Sequence, residues 1–297
     1  MNISKQTNIL SLLTISGSFA GEVNNDNVTY SPVIYSGSQY RFNKPHGITV
    51  DPKGNIWVTV SVGLVTKIPL NRPPVIYSYP EPYNLNNPQG ITTDTKGNVW
   101  IANYGNNNVI EVPVNSPATP ILYNSGSYWF RLPQGIIVDS QNNIWVTNLG
   151  GNSVTEILAN LQNPIIYSSS AYDFNRSYAI TTDTQNNIWV TNGDNNSVTK
   201  IPAAAPQSPV VYLDPQYGFN LPYAIAVDTQ GNAWITNLRG QSVTEIPVDS
   251  PNNPIVYSDP SYNFSTPTSI TIDAQSNVWV ANNGNNSVTE LVKSSTK

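Results

Sequence analysis

The sequence predicts an all-β protein, a six-bladed β-propeller built of four-stranded antiparallel blades. A pentad such as GITVD, a short turn that ends in Asn and a segment centred on Trp recur six times in phase. The aspartates that end the pentads lie 43 to 45 residues apart, which is the period of a four-stranded blade. The repeats run from about residue 31 to residue 292 without a compositional break, so we assign residues 25–297 to one domain.

Each repeat begins with two strands joined by a tight turn. The pentad, strand a, and the Trp segment, strand b, are rich in β-branched residues and alternate with the two-residue period of a strand. Between them, Asp51, Pro52 and Gly54 occupy the first, second and fourth positions of a turn whose last residue favours a left-handed backbone. This chemistry predicts an antiparallel hairpin.

Two further strands complete the repeat. Strand c reads Val-Thr-Glu-Ile or a close relative, and strand d starts with Pro and ends with Tyr, as at 164–167. Because proline cannot donate to a central ladder, strand d is placed at the outer, solvent-facing edge. Its sixth copy stands at the N-terminus, at 32–35, and not after the last strand c. We therefore expect residues 32–36 to pair with residues 288–291, so that an N-terminal strand closes the last blade.

The tryptophans of strand b are predicted to pack between blades. A ladder for stacking sugar rings is the alternative, but the fixed place of each Trp in the strand pattern favours a structural role. The six residues are Trp57, Trp100, Trp145, Trp189, Trp234 and Trp279.

Composition excludes several classes of function. With 13 Lys plus Arg, 18 Asp plus Glu, net charge −5 and no basic stretch, the chain lacks a surface for nucleic acid. Cysteine is absent and the only Met is the initiator, which excludes disulfides, thiol catalysis and cysteine-bound metals. Charged residues are only 10% of the chain, so neutral polar side chains must cover the surface, as suits a secreted, cell-surface or virion- or particle-associated protein.

Residues 1–24 are interpreted as either a secretion signal or a tail, with an extra strand as a further alternative. Lys5 precedes the apolar stretch 9–15, and small residues follow at Ser18 and Ala20. Since no run approaches about 20 apolar residues, we expect no membrane span.

The clause P-x-G-I-x-V-D-x-x-G-N-I-W-V followed by N-S-V-T-E-I resembles the repeats of NHL-repeat and virginiamycin B lyase-like six-bladed propellers, over residues 31–292. The resemblance implies the ring but not one activity, because such propellers include binding modules, sensors, lactonases and lyases. NHL repeats usually carry an acidic residue after strand b and a basic residue opening strand c. Here Asn148 and Ser153 stand at those places, so amides and hydroxyls replace the implied ion pair.

Catalytic residues do not carry over from that resemblance. The similar lyases use a metal with histidine and glutamate partners, and this chain has a single histidine, His46. We predict no cofactor, and leave open a Ca²⁺ or Mg²⁺ ion on the channel axis, bound by carboxylate and amide oxygens as in lactonases. The six turn aspartates would form such a carboxylate ring or, as we favour, hydrogen-bond within their own hairpins.

Positions at which the blades differ mark the candidate ligand site, because features common to all blades maintain the ring. The position that opens strand a varies and is expected at the channel mouth, as a site for a polar neutral ligand or as a solvated rim without one. These rim residues are His46, Gln89, Gln134, Tyr178, Tyr223 and Thr268.

Unrepeated loop residues add a second candidate surface. They would form a cationic and aromatic patch for an acidic glycan or a protein, or else be scattered solubilising charges. These residues are Arg41, Lys44, Trp129, Arg131, Arg176 and Arg239.

The sequence thus predicts a non-enzymatic module that binds a protein or glycan through its loop-rich face. A divalent-cation-dependent lactonase or lyase acting at the channel mouth is one alternative, and a purely structural surface component is the other.

Overall fold

The computed structural model describes residue 35 and residues 37–70, 72–78, 83–124, 126–160 and 163–293. Within these ranges the chain forms six antiparallel sheets, five of four strands and one of three. Sequential strands are hydrogen-bonded neighbours in every sheet, so each sequence repeat is one blade. The predicted all-β, six-bladed propeller is confirmed.

Strands a, b and c of each blade have five or six residues, and strand d has three or four. Blades 1 to 3 contain β1 (Pro45–Val50), β2 (Ile56–Val60), β3 (Leu64–Ile68), β4 (Val75–Ser78), β5 (Pro88–Thr93), β6 (Val99–Asn103), β7 (Asn108–Val112), β8 (Ile121–Tyr123), β9 (Pro133–Val138), β10 (Ile144–Asn148), β11 (Ser153–Ile157) and β12 (Ile165–Tyr167). Blades 4 to 6 contain β13 (Ser177–Thr182), β14 (Ile188–Asn192), β15 (Ser197–Ile201), β16 (Val210–Tyr212), β17 (Pro222–Val227), β18 (Ala233–Asn237), β19 (Ser242–Ile246), β20 (Ile255–Tyr257), β21 (Pro267–Ile272), β22 (Val278–Asn282) and β23 (Ser287–Leu291).

The first strand of each blade lies on the inside of the ring. β1 packs beside β5, β5 beside β9, and this succession of inner strands continues through β13 and β17 to β21. Strand d is the outermost strand of blades 1 to 5, as predicted, and it begins one residue after its proline. The a–b turns and c–d loops therefore lie at one end of the ring. The b–c and d–a loops form the opposite end, called here the loop-rich face.

The strand-b tryptophans of blades 1 to 5 pack between blades, which supports the structural interpretation. Trp57 of blade 1 is buried in one cluster with Ile91 and Ile101 of blade 2. Its ring stacks on Tyr77 at a centroid distance of 5.3 Å, and Tyr77 meets Tyr83 edge to face. Trp–Tyr contacts of this kind recur in blades 2 to 5. Each indole therefore joins the core of its own blade to the core of the next.

Threonine hydroxyls connect the inner strands of neighbouring blades. Thr59 Oγ1 accepts a hydrogen bond from the Gly47 N–H at 2.8 Å and donates to the Gln89 carbonyl of the next blade at 2.6 Å. A Cβ atom on Gly47 would lie 2.6 Å from that carbonyl, so this position favours small residues. Thr191 makes the same pair of bonds between blades 4 and 5. Neutral groups thus satisfy the buried backbone at these seams.

Asparagines connect the loops across the same seams. Asn107 Oδ1 accepts from the Leu132 N–H of the next blade at 2.7 Å, and Asn196 Oδ1 accepts from the Leu221 N–H at 2.8 Å. Both leucines have positive φ, 50° and 53°, a conformation that branched residues rarely adopt. The amides therefore hold loops whose backbone conformation is unfavourable for leucine.

Blade 6 has three strands within the described residues, and none of the described strands pairs with the outer edge of β23. Val288 on that edge is 64% exposed, and Trp279 is 37% exposed whereas Trp57 is 3% exposed. Ile48 of β1 is 69% exposed although its counterpart Ile91 is 7% exposed. Apolar side chains of blades 6 and 1 are therefore exposed although their counterparts in the other blades are buried.

The predicted closing strand, residues 32–36, lies outside the described residues except for Tyr35. The Tyr35 ring meets the Tyr40 ring edge to face at 5.7 Å and 81°. The strand-d tyrosines of blades 1 to 5 meet the tyrosine of the following loop in the same way. This geometry agrees with Tyr35 as the last residue of a strand d, and ring closure by residues 32–36 stays a prediction.

We predict that removing residues 1–36 lowers the melting temperature by about 5 °C or more. The loss of an edge strand and of its apolar burial should remove about 2 to 3 kcal/mol. Removing only residues 1–30, which retains the strand-d motif, is the matched control and should leave the melting temperature nearly unchanged. Equal melting temperatures for the two truncated proteins would contradict closure by residues 32–36.

Candidate functional site

The six turn aspartates are used within their own hairpins. Asp183 Oδ1 accepts from the backbone N–H groups of Gln185 and Asn187, and Oδ2 accepts from Trp189 Nε1 at 3.0 Å and from Asn187 Nδ2 at 2.8 Å. The same arrangement holds the other five turns, around Asp51, Asp94, Asp139, Asp228 and Asp273. Each carboxylate fixes its turn and the indole that follows, which supports the hairpin interpretation over a carboxylate ring.

These hydrogen bonds outweigh the cost of burying a charge. Burial raises the pKa of Asp183. The hydrogen bonds from Asn187 and Trp189 and the nearby Lys200 ammonium lower that pKa, and together they have the larger effect. The net pKa lies below the ordinary value of 3.8. Asp183 is therefore ionised at neutral pH, and its carboxylate accepts hydrogen bonds from four donor groups of its own hairpin.

The strand-c glutamates are also engaged within their blades. Glu156 Oε2 accepts from the Tyr167 hydroxyl at 2.8 Å, and equivalent pairs occur in blades 2 and 5. Burial raises the pKa of Glu156, although the bond from Tyr167 acts in the opposite direction. Among the described residues, no group of three or more His, Cys, Asp or Glu side chains is placed to hold a metal ion.

Four of the six predicted rim residues form two neighbouring pairs. The strand a–b register shifts after the first residue of strand a in blades 2 to 5, which releases the second residue from the ladder. Gln134 Nε2 lies 3.5 Å from Gln89 Oε1, and the rings of Tyr178 and Tyr223 are 4.8 Å apart. His46 and Thr268 occupy the same position in β1 and β21.

Charged groups surround the tyrosine pair of the rim. Burial raises the pKa of Tyr178, Arg176 and Arg239 lower it, and Asp194 and Tyr104 raise it. The Arg176 guanidinium lies 5.6 Å from the Tyr178 ring centroid and its Nη1 lies 3.7 Å from Asp194 Oδ1. Arg176 therefore belongs to the rim and is partly neutralised.

The predicted cationic and aromatic patch is less continuous than the rim. Arg131 is exposed in the loop before β9, and the described residues include no contact that joins it to Trp129 or Arg176.

The single histidine of the rim is uncharged at neutral pH. Burial lowers the pKa of the His46 imidazole below 6.5, so His46 is neutral at pH 7.

A groove of about 910 Å³ opens on the loop-rich face between blades 2 and 3. Trp129 and Phe130 form one apolar wall and Val62 of blade 1 lies at the other side. The remaining lining is almost wholly amide, and we call this feature the asparagine groove. Its amide residues are Asn84, Asn86, Asn106, Asn107, Asn108 and Asn124.

Sequence reasoning selected Trp129 but missed these asparagines. The available signal was the run of three asparagines at 106–108, which has no counterpart in the other blades. The corresponding groove between blades 3 and 4 has about 410 Å³ and contains Asp173 where the asparagine groove has Trp129. The asparagine groove therefore has about twice the volume of the groove at the neighbouring seam.

Several solved β-propeller structures are similar to this protein in fold. Virginiamycin B lyase from Staphylococcus aureus is 21% identical, with a TM-score of 0.70 over 85% of each chain. A streptogramin B lyase is 20% identical, with a TM-score of 0.69 over 85% of this chain and 84% of that one. An extracellular domain of a one-component system from Bacteroides thetaiotaomicron is 18% identical, with a TM-score of 0.64 over 86% of this chain and 35% of that one.

These likenesses confirm the fold of a virginiamycin B lyase-like propeller. No protein-family model matches the chain, and no curated protein matches it. In the described part of the chain, no helix has the length and apolar character needed to cross a membrane.

We predict that Asp183→Asn lowers the free energy of unfolding at pH 7 by about 1.5 to 3 kcal/mol, the range for hydrogen bonds to a charged group. Because the folded pKa is depressed, this stabilisation is present above the unfolded pKa and is lost as the pH falls through the folded pKa. In urea unfolding, the difference between wild type and variant should therefore shrink below pH 3.8.

Asp249→Asn is the control, because Asp249 is exposed and its side chain makes no hydrogen bond with a described residue. Its effect should stay within about 0.5 kcal/mol at every pH. A wild-type stability that rises with added Ca²⁺ and loses this response in Asp183→Asn would instead support the carboxylate ring.

Proposed function

We propose that this protein is a non-enzymatic binding module that recognises a protein or glycan through its loop-rich face. The observation that carries the proposal is a difference between the two ends of the ring. At the turn end, the aspartate, asparagine and tryptophan groups repeat in every blade and bond to one another. At the loop-rich end, the strand-a rim residues and several loop residues differ from blade to blade, and some of their polar atoms make no hydrogen bond with a described residue.

The rim supports this assignment by its chemistry. The tyrosine pair, the glutamine pair and Arg176 offer stacking faces, amides and one partly neutralised cation within one end of the ring. Such a mixture of apolar surface and a few polar groups is typical of ligand sites. It suits a ligand that presents hydroxyl or amide groups better than one that is highly charged.

We infer a secreted or surface location on compositional grounds. The chain has few charged residues and no cysteine, so neutral polar side chains make up most of its polar surface. A propeller of similar fold is an extracellular domain. A rigid ring of neutral seams suits that environment, because its stability does not depend on exposed ion pairs, which salt screens.

A lyase or lactonase at the channel mouth is the second candidate, and the fold likeness to virginiamycin B lyase favours it. The turn aspartates and the strand-c glutamates of blades 2, 3 and 5 are engaged in hydrogen bonds within their own blades. Any cation at the channel mouth would therefore be held mainly by amide and hydroxyl oxygens. Elemental analysis of the purified protein separates the two candidates. The binding proposal predicts no stoichiometric metal, and one equivalent of Ca²⁺ or Mg²⁺ would favour the enzyme.

We predict that blocking the loop-rich face abolishes binding and that blocking the turn end does not. The chain has no cysteine, so Arg239→Cys on the loop-rich face and Gln185→Cys in a turn can each carry one polyethylene glycol maleimide. Ligands found on arrays of glycans and extracellular proteins are then tested against both conjugates and both unmodified variants.

Only the conjugate at position 239 should lose binding, because only there does the polymer cover the rim. Loss of binding on the Gln185→Cys conjugate alone, or no ligand on either array, would contradict the proposed function.

A further inference from the structure

We propose that the asparagine groove is a subsite for a neutral oligosaccharide, with Trp129 as the stacking platform. This inference rests on the proposed function and narrows it to one ligand class and one seam. Trp129 is 59% exposed, unlike the strand-b tryptophan Trp145 of the same blade, which is 6% exposed. Its indole makes no hydrogen bond or ring contact with any described residue, so the ring is free to meet a ligand.

The backbone conformation at Trp129 indicates that a tryptophan at this position does not stabilise the fold. Trp129 has φ of 53°, a left-handed conformation that is an outlier for a bulky residue. The other five blades also have positive φ at this loop position. Four of them have residues that adopt it readily, Asn84, Asp173, Gly218 and Asn263, and blade 1 has Arg41. The aromatic ring of Trp129 is therefore retained at an unfavourable position although 59% of the residue is exposed.

The amides of the groove have unused hydrogen-bonding capacity. Asn108 is 3% exposed and its Oδ1 accepts from Asn103 Nδ2 at 2.8 Å, but its own Nδ2 has no partner among the described residues. Asn107 Oδ1 is held by the Leu132 N–H, which leaves Asn107 Nδ2 unpartnered there too. The side-chain amide of Asn124 makes no hydrogen bond within the described residues. Donors and acceptors of this neutral kind match sugar hydroxyls.

Blade 2 differs from its neighbours at the residue that provides the buried donor. Where blade 2 has Asn108, the four following blades have serine, whose hydroxyl bonds to the strand-b asparagine, as Ser153 does to Asn148 at 3.1 Å. Asn108 makes the same internal bond through Oδ1, carries a second polar atom, Nδ2, and is one of the residues that line the groove. The extra Nδ2 group is therefore not needed for the seam.

The neighbouring groove shows what a closed version of this site looks like. There Asp173 Oδ1 accepts from Asn195 Nδ2 at 2.7 Å, and Asn195 Oδ1 accepts from Asn175 Nδ2 at 2.8 Å. Its polar groups bond to one another and no indole is present. The asparagine groove has twice that volume, an exposed aromatic face and no charged lining residue, which favours a neutral pyranose over an acidic glycan.

The test is titration of the full-length protein with neutral hexasaccharides of glucose, mannose and N-acetylglucosamine, and with an acidic hexasaccharide of galacturonic acid. Trp129→Asn installs the residue that two other blades have at this position, so folding should be preserved and the melting temperature should hold or rise. Affinity for the bound neutral sugar should fall by about thirtyfold or more, as for an aromatic hot-spot residue.

Asn108→Ser installs the serine of the other blades and should weaken the same sugar by about threefold to tenfold. Asp173→Asn in the neighbouring groove is the matched control and should leave affinity unchanged. The tryptophan emission shift on sugar binding should disappear in Trp129→Asn and persist in Asp173→Asn.

Wild-type protein that binds none of the neutral sugars, or Trp129→Asn with unchanged affinity, overturns this inference. Binding of the galacturonic acid hexasaccharide or of a protein alone, blocked by the conjugate at position 239, would overturn the neutral sugar and leave the proposed function intact. Binding that is blocked only at position 185 would overturn both.

Discussion

The hydrogen bond from each strand-b indole to the aspartate six residues earlier is the interaction on which this ring depends. It joins the tight turn to the inter-blade core, because one carboxylate fixes the turn backbone and also orients the tryptophan. The indole then stacks on a tyrosine of strand d and packs against the next blade. Turn, core and seam are thus determined together, which explains why Asp and Trp recur as a pair.

In the part of the chain that the structure describes, neutral hydrogen bonds, and not ion pairs, connect neighbouring blades at the seams. Threonine hydroxyls and asparagine amides bridge the blades through neutral hydrogen bonds. Neutral groups avoid the desolvation that a buried ion pair requires, and they use up the polar atoms that repeat. Among the described residues, Asn108 Nδ2 and the Asn124 amide on the loop-rich face make no hydrogen bond, and both residues differ from their counterparts in the following blades. This distribution connects the construction of the ring with its proposed recognition role.

Periodicity made most of the fold predictable. The Asp spacing, the turn residues and the Pro at strand d predicted blade number, hairpins and the outer edge, because each reflects local backbone chemistry. The rim pairs were predictable in the same way, since Tyr178 and Tyr223 occupy one strand position in consecutive blades and must come close. The contact of Arg176 with Tyr178 was not, because it depends on loop conformation.

The asparagine groove could not be derived from the repeat. It arises where the loops of three blades meet, and its volume depends on a left-handed residue, Trp129, whose direction the sequence does not reveal. The run at 106–108 signalled an unusual loop, yet amides at this place also hold seams, as Asn107 does. Only the pattern of satisfied and unsatisfied atoms separates the two roles.

The most direct measurement compares two tryptophans of blade 3 by urea unfolding. Trp145→Phe retains an aromatic ring but removes the indole N–H that bonds to Asp139 at 2.9 Å, and it should lower the free energy of unfolding by about 1.5 to 3 kcal/mol. Trp129→Phe should change it by no more than about 0.5 kcal/mol. Equal effects of the two substitutions would contradict the dependence of the ring on the indole–aspartate bond.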